Sequence, residues 1–400
     1  MTTAPFHQVR VLSFCQALAG NTCSKLLAEL GADLVKVEAR NRPDPGRQRR
    51  QADHPATYEP SGAETNAQLQ ASTLSTKGIT LDMSRVEGRA LAKRLVGAAD
   101  VVMENFSATV MTRWGMDYES LRTVNPGIIM LSMPGLGKTG PKHQYVTYGG
   151  IISAFIGLTY LWEYPSTVHN DYIAAAHGAY AVAVALEHRT RTGEGLYIDL
   201  AHAEAGAALL GPAYIDYLAN GREAQPTRNR VPGSAYSGVF RCKGDDAWLA
   251  LELEDEADWP AFCTAIGQAD LTQDPRFAAP AARWQNADAL DTLTEAWTSR
   301  RLPHQAMLLL QHAGLAAGAV QNGEGLYRDP HLWARGAIAE VTHPDLGAIE
   351  YPESPLRLSI TPGKVRGPLS RLGQYNDHVY RGWLGMSADE VQALEQDSVI

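Results

Sequence analysis

The chain has 400 residues, 45% of them hydrophobic and 20% charged, which is the balance of a folded globular protein and not of a disordered one. Its formal net charge of -9 gives no bulk electrostatic support for binding nucleic acid, so an anionic ligand has to be held by local Lys and Arg. The N-terminus lacks a basic segment followed by a long apolar one, and the most apolar stretch, 172–186, is too short to span a bilayer. A cytoplasmic location is the expectation.

In chain order, VRVLSF (9–14) predicts a strand, 21–31 a helix closed by Gly31, and ADLVKVEA (32–39) a second strand. Residues 40–70 read as a long surface loop. STKGITLDM (75–83) predicts a third strand, 86–99 a helix, DVVMENF (100–106) a fourth strand, 118–126 a short helix and GIIMLSMPG (127–135) a fifth strand. This alternation predicts an α/β fold with a parallel sheet covered by helices on both faces. Ligands bind such sheets beyond the carboxyl ends of the strands. A long helix of small residues runs from Asp171 to Gly193, followed by the strand 196–200 and a helix bent near Gly206 and Gly211-Pro212. The composition changes near 222. A hairpin turning at Gly244-Asp245-Asp246 and acidic helices follow, then further strands over 336–359 and a polar helix from about 388. These shifts predict a large domain from 1–205 and 335–400, a smaller α+β domain at 225–325, and linkers at 206–224 and 326–334.

Gly137-Lys138-Thr139 imitates the end of a phosphate-binding P-loop. However, Ser132 stands where the loop needs its first glycine, and Gly140-Pro141 falls in the first turn of the required helix. None of Cys15, Cys23, Cys242 and Cys263 is in a C-x-x-C spacing, so free buried thiols are expected and no metal site. Asp171 is the stronger signal. It reads as an N-cap, and a carboxylate at a helix N-terminus is held ionised by the dipole and by free N–H groups. An ionised carboxylate beside an electropositive, partly dry pocket is what acyl capture needs. Ala174, Ala175 and Gly178, one turn on, allow close approach of a backbone or a flat ligand. His177 reads as a satisfied core histidine, and His202 with Glu204 as a polar pair at a helix start. Arg40, Lys77 and Arg113 each read as following a strand, on the ligand-binding edge of the sheet.

These residues fall within a set of long motifs in a recognisable order. The opening VRVLSFCQALAGNTCSKLLAELGADLVKVEAR, LSTKGITLD, ENF followed by Arg113, LSMPGLG, ALEHRTRTGEGLYIDLAHAEA and LGQYNDHVY together resemble the class III CoA-transferases. That group includes formyl-CoA transferase, carnitine CoA-transferase and the α-methylacyl-CoA racemases. The resemblance implies a Rossmann-like large domain with a parallel sheet plus a smaller domain, two chains being interlocked as a homodimer. It implies coenzyme A or acyl-CoA as substrate, with no tightly bound cofactor, and a small carboxylic acid as the second partner.

By the same resemblance Asp171 is the nucleophile. Ala17, Leu18, Ala19, Arg40, Leu74, Thr76, Lys77, Asn105, Phe106, Arg113, Trp114, Gly135 and Leu136 form the CoA-binding set, with backbone N–H groups near Gly135 and Gly137 for oxyanions. Where the racemases carry a His, this chain has Thr147-Tyr148-Gly149, and a Tyr of pKa about 10 is a poor base at neutral pH. RNRVPGSAYSG replaces the glycine-rich loop of formyl-CoA transferase, which argues against formate and oxalate. The expected activity is CoA transfer through aspartyl anhydride and aspartyl-CoA thioester intermediates. A racemase of the same family and a non-catalytic CoA-binding protein are the alternatives. Trp162, Tyr164, Tyr148 and Tyr236 are candidates for the acyl pocket.

Overall fold

The computed structural model describes residues 4–48, 66–164, 168–344 and 346–400. The predicted loop 40–70 lies partly outside these residues. Its described ends form short helices at Pro45–Gln48 and Ala67–Thr73.

Six short strands make one parallel sheet: β1 (Arg10–Ser13), β2 (Asp33–Glu38), β3 (Lys77–Thr80), β4 (Val101–Glu104), β5 (Ile129–Ser132) and β6 (Tyr197–Asp199). Their spatial order is β3-β2-β1-β4-β5-β6, all pairs being parallel, so the direction of winding reverses beside β1. That order is the one found in doubly wound nucleotide-binding sheets, where ligands sit at the reversal beyond the carboxyl ends.

The strands read as continuous apolar runs because both faces are covered. Val11, Leu34, Val101, Ile129 and Leu131 pack into one core, while Leu12, Val35, Val102 and Met130 pack into the other. This is the two-residue alternation of a pleated strand, shared across neighbours by the register Val11↔Leu34 and Leu12↔Val35.

Four helices matter for the site: α1 (Ala17–Glu29), α2 (Gly149–Phe155), α3 (His169–Thr192) and α4 (His202–Ala207). The buried stripe of α3 is Asn170, Asp171, Ala174, Ala175, Gly178, Val182 and Ala185. Its small residues let α3 lie close to α1 and β5. A β-carbon at Gly178 would come within 3.0 Å of Cys23 Sγ and 3.1 Å of Met133 Sδ. α3 ends at Gly193, whose φ of 78° is the left-handed cap expected of glycine. The bend after α4 is a 3₁₀ turn at Ala208–Leu210, before the helix Gly211–Asn220, not a kink at Gly206.

The chain divides into two compact units. One comprises residues 1–160, 164–223 and 333–400, and holds the parallel sheet. Its C-terminal stretch clamps the β3 edge: Asn376 accepts from the Thr80 amide at 2.9 Å, and the Tyr380 hydroxyl donates to the Thr80 carbonyl at 2.6 Å. The other unit, 161–163 and 224–332, has a three-stranded antiparallel sheet of β7 (Tyr236–Arg241), β8 (Trp248–Leu253) and β9 (Ala316–Ala319). Among the described residues no helix is long and apolar enough to cross a membrane.

Candidate active site

The loop between β1 and α1 is held rigidly at the carboxyl edge of the sheet. Asn105, just after β4, accepts from the Gln16 amide and donates to the Gln16 carbonyl, both at 2.8 Å. Ala17 has a φ of 57°, a left-handed conformation that non-glycine residues seldom adopt, and its amide donates to Asp44 at 3.2 Å. Asp44 is fully buried, accepting also from Asn21 and from the buried Lys36 ammonium at 2.9 Å each. Burial raises the Asp44 carboxyl, but Lys36 and the bonds from Asn21 and Gly46 outweigh it and hold the group below the usual carboxylate range. Gly20 has no room for a side chain, since a β-carbon would lie 2.5 Å from Cys15 Cβ.

Beyond this loop is a cavity of about 610 Å³, whose lining includes Ala17, Leu18, Ala19, Asn105 and Phe106 together with Gly135, Leu136, Tyr148, Gly149, Asp171 and His202. The size suits a substrate-sized ligand. Gly135 is tightly covered, because a β-carbon there would clash with the Thr147 hydroxyl.

Asp171 is the third residue of α3 and not its cap, which is Val168. Its side chain is 11% exposed, and no hydrogen bond to the carboxylate is formed among the described residues. Burial therefore dominates over the helix dipole and pushes its carboxyl up to about 6. The sequence-based picture of a carboxylate held ionised by N–H groups is corrected accordingly. At neutral pH the group is still mostly ionised, and a poorly solvated carboxylate of raised basicity is a better nucleophile than a solvated one. His202 stands beside it, with Nδ1 3.9 Å from Asp171 Oδ1. Glu204 is exposed, so His202 faces Asp171 and does not pair with Glu204.

A second cavity of about 760 Å³ adjoins the first through Gln16, Arg42, Phe106, Ser107 and Val110. It lies over the ends of β2 and β3, and Leu81, Asp82, Met83, Ser84, Arg113 and Trp114 contribute to its lining. Phe106 and Trp114 meet edge to face at 5.3 Å. The two cavities form one groove along the carboxyl edge. Arg40 is exposed and off the lining of both, with Nε 3.5 Å from the Ile400 carbonyl oxygen. Arg42, which the sequence reading passed over, lines both.

Lys77 is not where the sequence reading put it. It opens β3 and bonds Asp33 at the opening of β2 at 2.6 Å, so it stands with Thr76 at the amino edge of the sheet. Both line a different cavity, with Arg10 and Asp100, while Leu74 is fully buried. Lys77 falls inside the predicted strand 75–83 and opens β3, so it does not follow the strand. The residues that do follow β3 are Leu81–Ser84, and the signal for them was the Leu-Asp end of LSTKGITLD. His177 is exposed and not in the core, with Nδ1 2.8 Å from the Ile173 carbonyl. Tyr148 lines the Asp171 cavity, whereas Tyr236 packs in the core of the smaller unit and donates to Asp291.

Comparison with known proteins accords with this geometry. The chain is 33% identical, over 99% of its length and 98% of the relative's, to succinyl-CoA–D-citramalate CoA-transferase of Chloroflexus aurantiacus. It is 29% identical, over 94% of both chains, to succinate–glutarate CoA-transferase of Agrobacterium fabrum. The crystal structure of a CaiB/BaiF family protein from Brucella suis superposes with a TM-score of 0.85 at 27% identity, covering 96% of this chain and all of that one. Residues 6–376 match the family model described as CoA-transferase family III. With a buried carboxylate set at the carboxyl edge of a 3-2-1-4-5-6 sheet, and with relatives matched from end to end, the chain belongs to CoA-transferase family III and is a class III CoA-transferase.

Proposed function

We propose that the protein transfers CoA from an acyl-CoA donor to an acceptor carboxylic acid with Asp171 as nucleophile. The observation that carries this is the Asp171 carboxylate: buried, without a hydrogen bond among the described residues and raised to about 6, on the wall of a substrate-sized cavity at the carboxyl edge of the sheet. An Asp171 oxygen adds to the thioester carbon, the C–S bond breaks, and CoA leaves as the thiolate, giving a mixed anhydride. The thiolate then adds to the Asp171 carbonyl carbon and the donor acid leaves as carboxylate, giving an aspartyl-CoA thioester. An acceptor carboxylate adds to that thioester, and the same two exchanges in reverse yield the new acyl-CoA and free Asp171. Each covalent intermediate conserves an activated acyl bond, so no nucleotide hydrolysis is needed.

The groove suits a CoA laid along the sheet edge. The phosphate-rich end lies toward Arg42 and Arg113, with Phe106 and Trp114 beside it, and the sulfur end lies toward Asp171. Both relatives described above are named for succinyl-CoA or succinate, so succinyl-CoA heads the donor panel. Many large apolar side chains of the larger unit are exposed, among them Ile151, Phe155, Tyr180, Ile215 and Leu218. A surface of that kind supports a homodimer, the interlocked arrangement the resemblance implies.

The deciding experiment incubates the protein with succinyl-CoA and hydroxylamine without acceptor, then maps peptides by mass spectrometry. A hydroxamate at Asp171 is expected, and it should be absent from Asp171→Ala. Full transfer activity in a folded Asp171→Ala would sink the reading.

A further inference from the structure

His202 opens α4 on the cavity wall shared with Asp171. Its amide donates to the Pro134 carbonyl at 3.2 Å, and the next amide, of Ala203, donates to the Gly135 carbonyl at 3.0 Å. These bonds tie the residue to the loop after β5 and fix where the ring stands. The imidazole is almost wholly buried, with Nδ1 3.9 Å from Asp171 Oδ1 and Nε2 without a hydrogen-bond partner among the described residues. Burying a polar ring beside a reactive carboxylate costs free energy, so its place there calls for an explanation.

The two oxygens of Asp171 are also in different surroundings. Oδ1 faces His202, whereas Oδ2 faces the space left open by the absent side chain of Gly149.

We propose that His202 is a positioning residue for CoA transfer: it donates a hydrogen bond from Nδ1 to Oδ1 of Asp171, so that Oδ2 is the oxygen presented to the thioester carbon. This rests on Asp171 being the nucleophile. The gap of 3.9 Å is about 1 Å beyond a hydrogen bond, and it closes by a small rotation of the carboxylate as substrate enters, as such contacts tighten in reacting complexes. Burial drives the imidazole down to about 4, against the raising effect of hydrogen bonding to the Met133 backbone, so the ring is neutral when the enzyme works and its single N–H, on Nδ1 in the reacting complex, is the one that Asp171 takes. A neutral donor orients the carboxylate without forming the ion pair that would blunt its attack.

After attack through Oδ2, Oδ1 becomes the carbonyl oxygen of the aspartyl anhydride. Thiolate addition to that carbonyl carbon places negative charge on Oδ1, where the same N–H stabilises it.

The test compares His202→Leu, His202→Asn and Asp171→Ala with the wild-type protein. Transfer from succinyl-CoA is followed to an acceptor acid that the wild-type enzyme uses, and folding is checked by circular dichroism. His202→Leu keeps the volume and removes both nitrogens, while His202→Asn keeps a neutral donor near the Nδ1 position. We expect His202→Leu to lose about 10²-fold in kcat, the scale of one lost oxyanion donor, with KM for succinyl-CoA within about three-fold. His202→Asn should recover about ten-fold or more of that loss. A His202→Leu kcat close to wild type, a defect confined to KM, or a folded His202→Asn no better than His202→Leu overturns the proposal. Transfer by Asp171→Ala would instead overturn the nucleophile reading on which it rests.

Discussion

Asp171 and Gly149 share one space: a β-carbon built on Gly149 would lie 2.0 Å from Oδ2 of Asp171. The carboxylate keeps its place only because the first residue of α2 has no side chain. Gly149→Ala should therefore push the carboxylate aside without unfolding the protein, since alanine favours a helix by about 0.5–1 kcal/mol over glycine. The expected result is a fall in kcat of about 10²-fold, the scale of a 1 Å misplacement, with an unchanged or slightly higher Tm. Normal turnover in Gly149→Ala would show that the carboxylate is not held where the reaction needs it.

The ionisation of Asp171 has a sign that can be checked in two ways. Its carboxyl is raised from 3.8 to about 6 by burial, so the folded protein binds more protons than the unfolded chain between those values. The contribution to stability is fully present below the unfolded pKa and is lost as pH rises through the folded one. The loss at neutral pH is roughly 3 kcal/mol at most, at about 1.4 kcal/mol per pH unit. Asp171→Asn should thus resist urea better than wild type near neutral pH, and the advantage should vanish near pH 4. A difference that does not change with pH would contradict a raised pKa.

Activity follows from the same shift. Only the ionised carboxylate attacks, so kcat/KM for acyl-CoA should fall on the acid side with a midpoint near the raised value of about 6. A flat profile down to pH 4.5 would argue against Asp171 as the attacking group.

The buried pair Lys36 and Asp44 is the anchor of the Gln16–Ala19 loop. Asp44→Ala leaves the Lys36 ammonium buried with, among the described residues, only the Cys15 carbonyl and Asn21 side chain as acceptors. Removing one partner of a buried ion pair costs about 3–5 kcal/mol. The expected outcome is a marked drop in Tm, together with a raised KM for acyl-CoA because the Ala17 amide loses its acceptor. Calorimetry and steady-state kinetics on the same preparation check both, and a KM unaffected by the substitution would detach the loop from substrate binding.

The sheet edges separate two lysine and arginine variants that looked alike in sequence. Arg113 lines the groove at the carboxyl edge, whereas Lys77 is bonded to Asp33 at the amino edge. Arg113→Ala should raise KM for acyl-CoA by about ten-fold, with kcat little changed, and flatten its salt dependence. Lys77→Ala should leave both constants near wild type. The opposite pattern would place the phosphates of CoA at the wrong end of the strands.

The sequence alone determined the α/β fold, the run of parallel strands, the long small-residue helix ending at Gly193, and the family. Each rests on local patterns: two-residue alternation hidden in apolar runs, helical spacing, turn glycines and long motifs in a given order. It also singled out Asp171, because a carboxylate opening a helix of small residues is a local feature.

Tertiary structure decided which edge of the sheet a residue occupies and what surrounds a charge. Lys77 opens β3 instead of following it, which puts it at the amino and not the carboxyl end of the sheet. The burial that raises Asp171, the notch left by Gly149 and the ring of His202 all depend on β5, α2, α3 and α4 converging from distant parts of the chain. Solvation and close approach are properties of that convergence, and no window of neighbouring residues contains them.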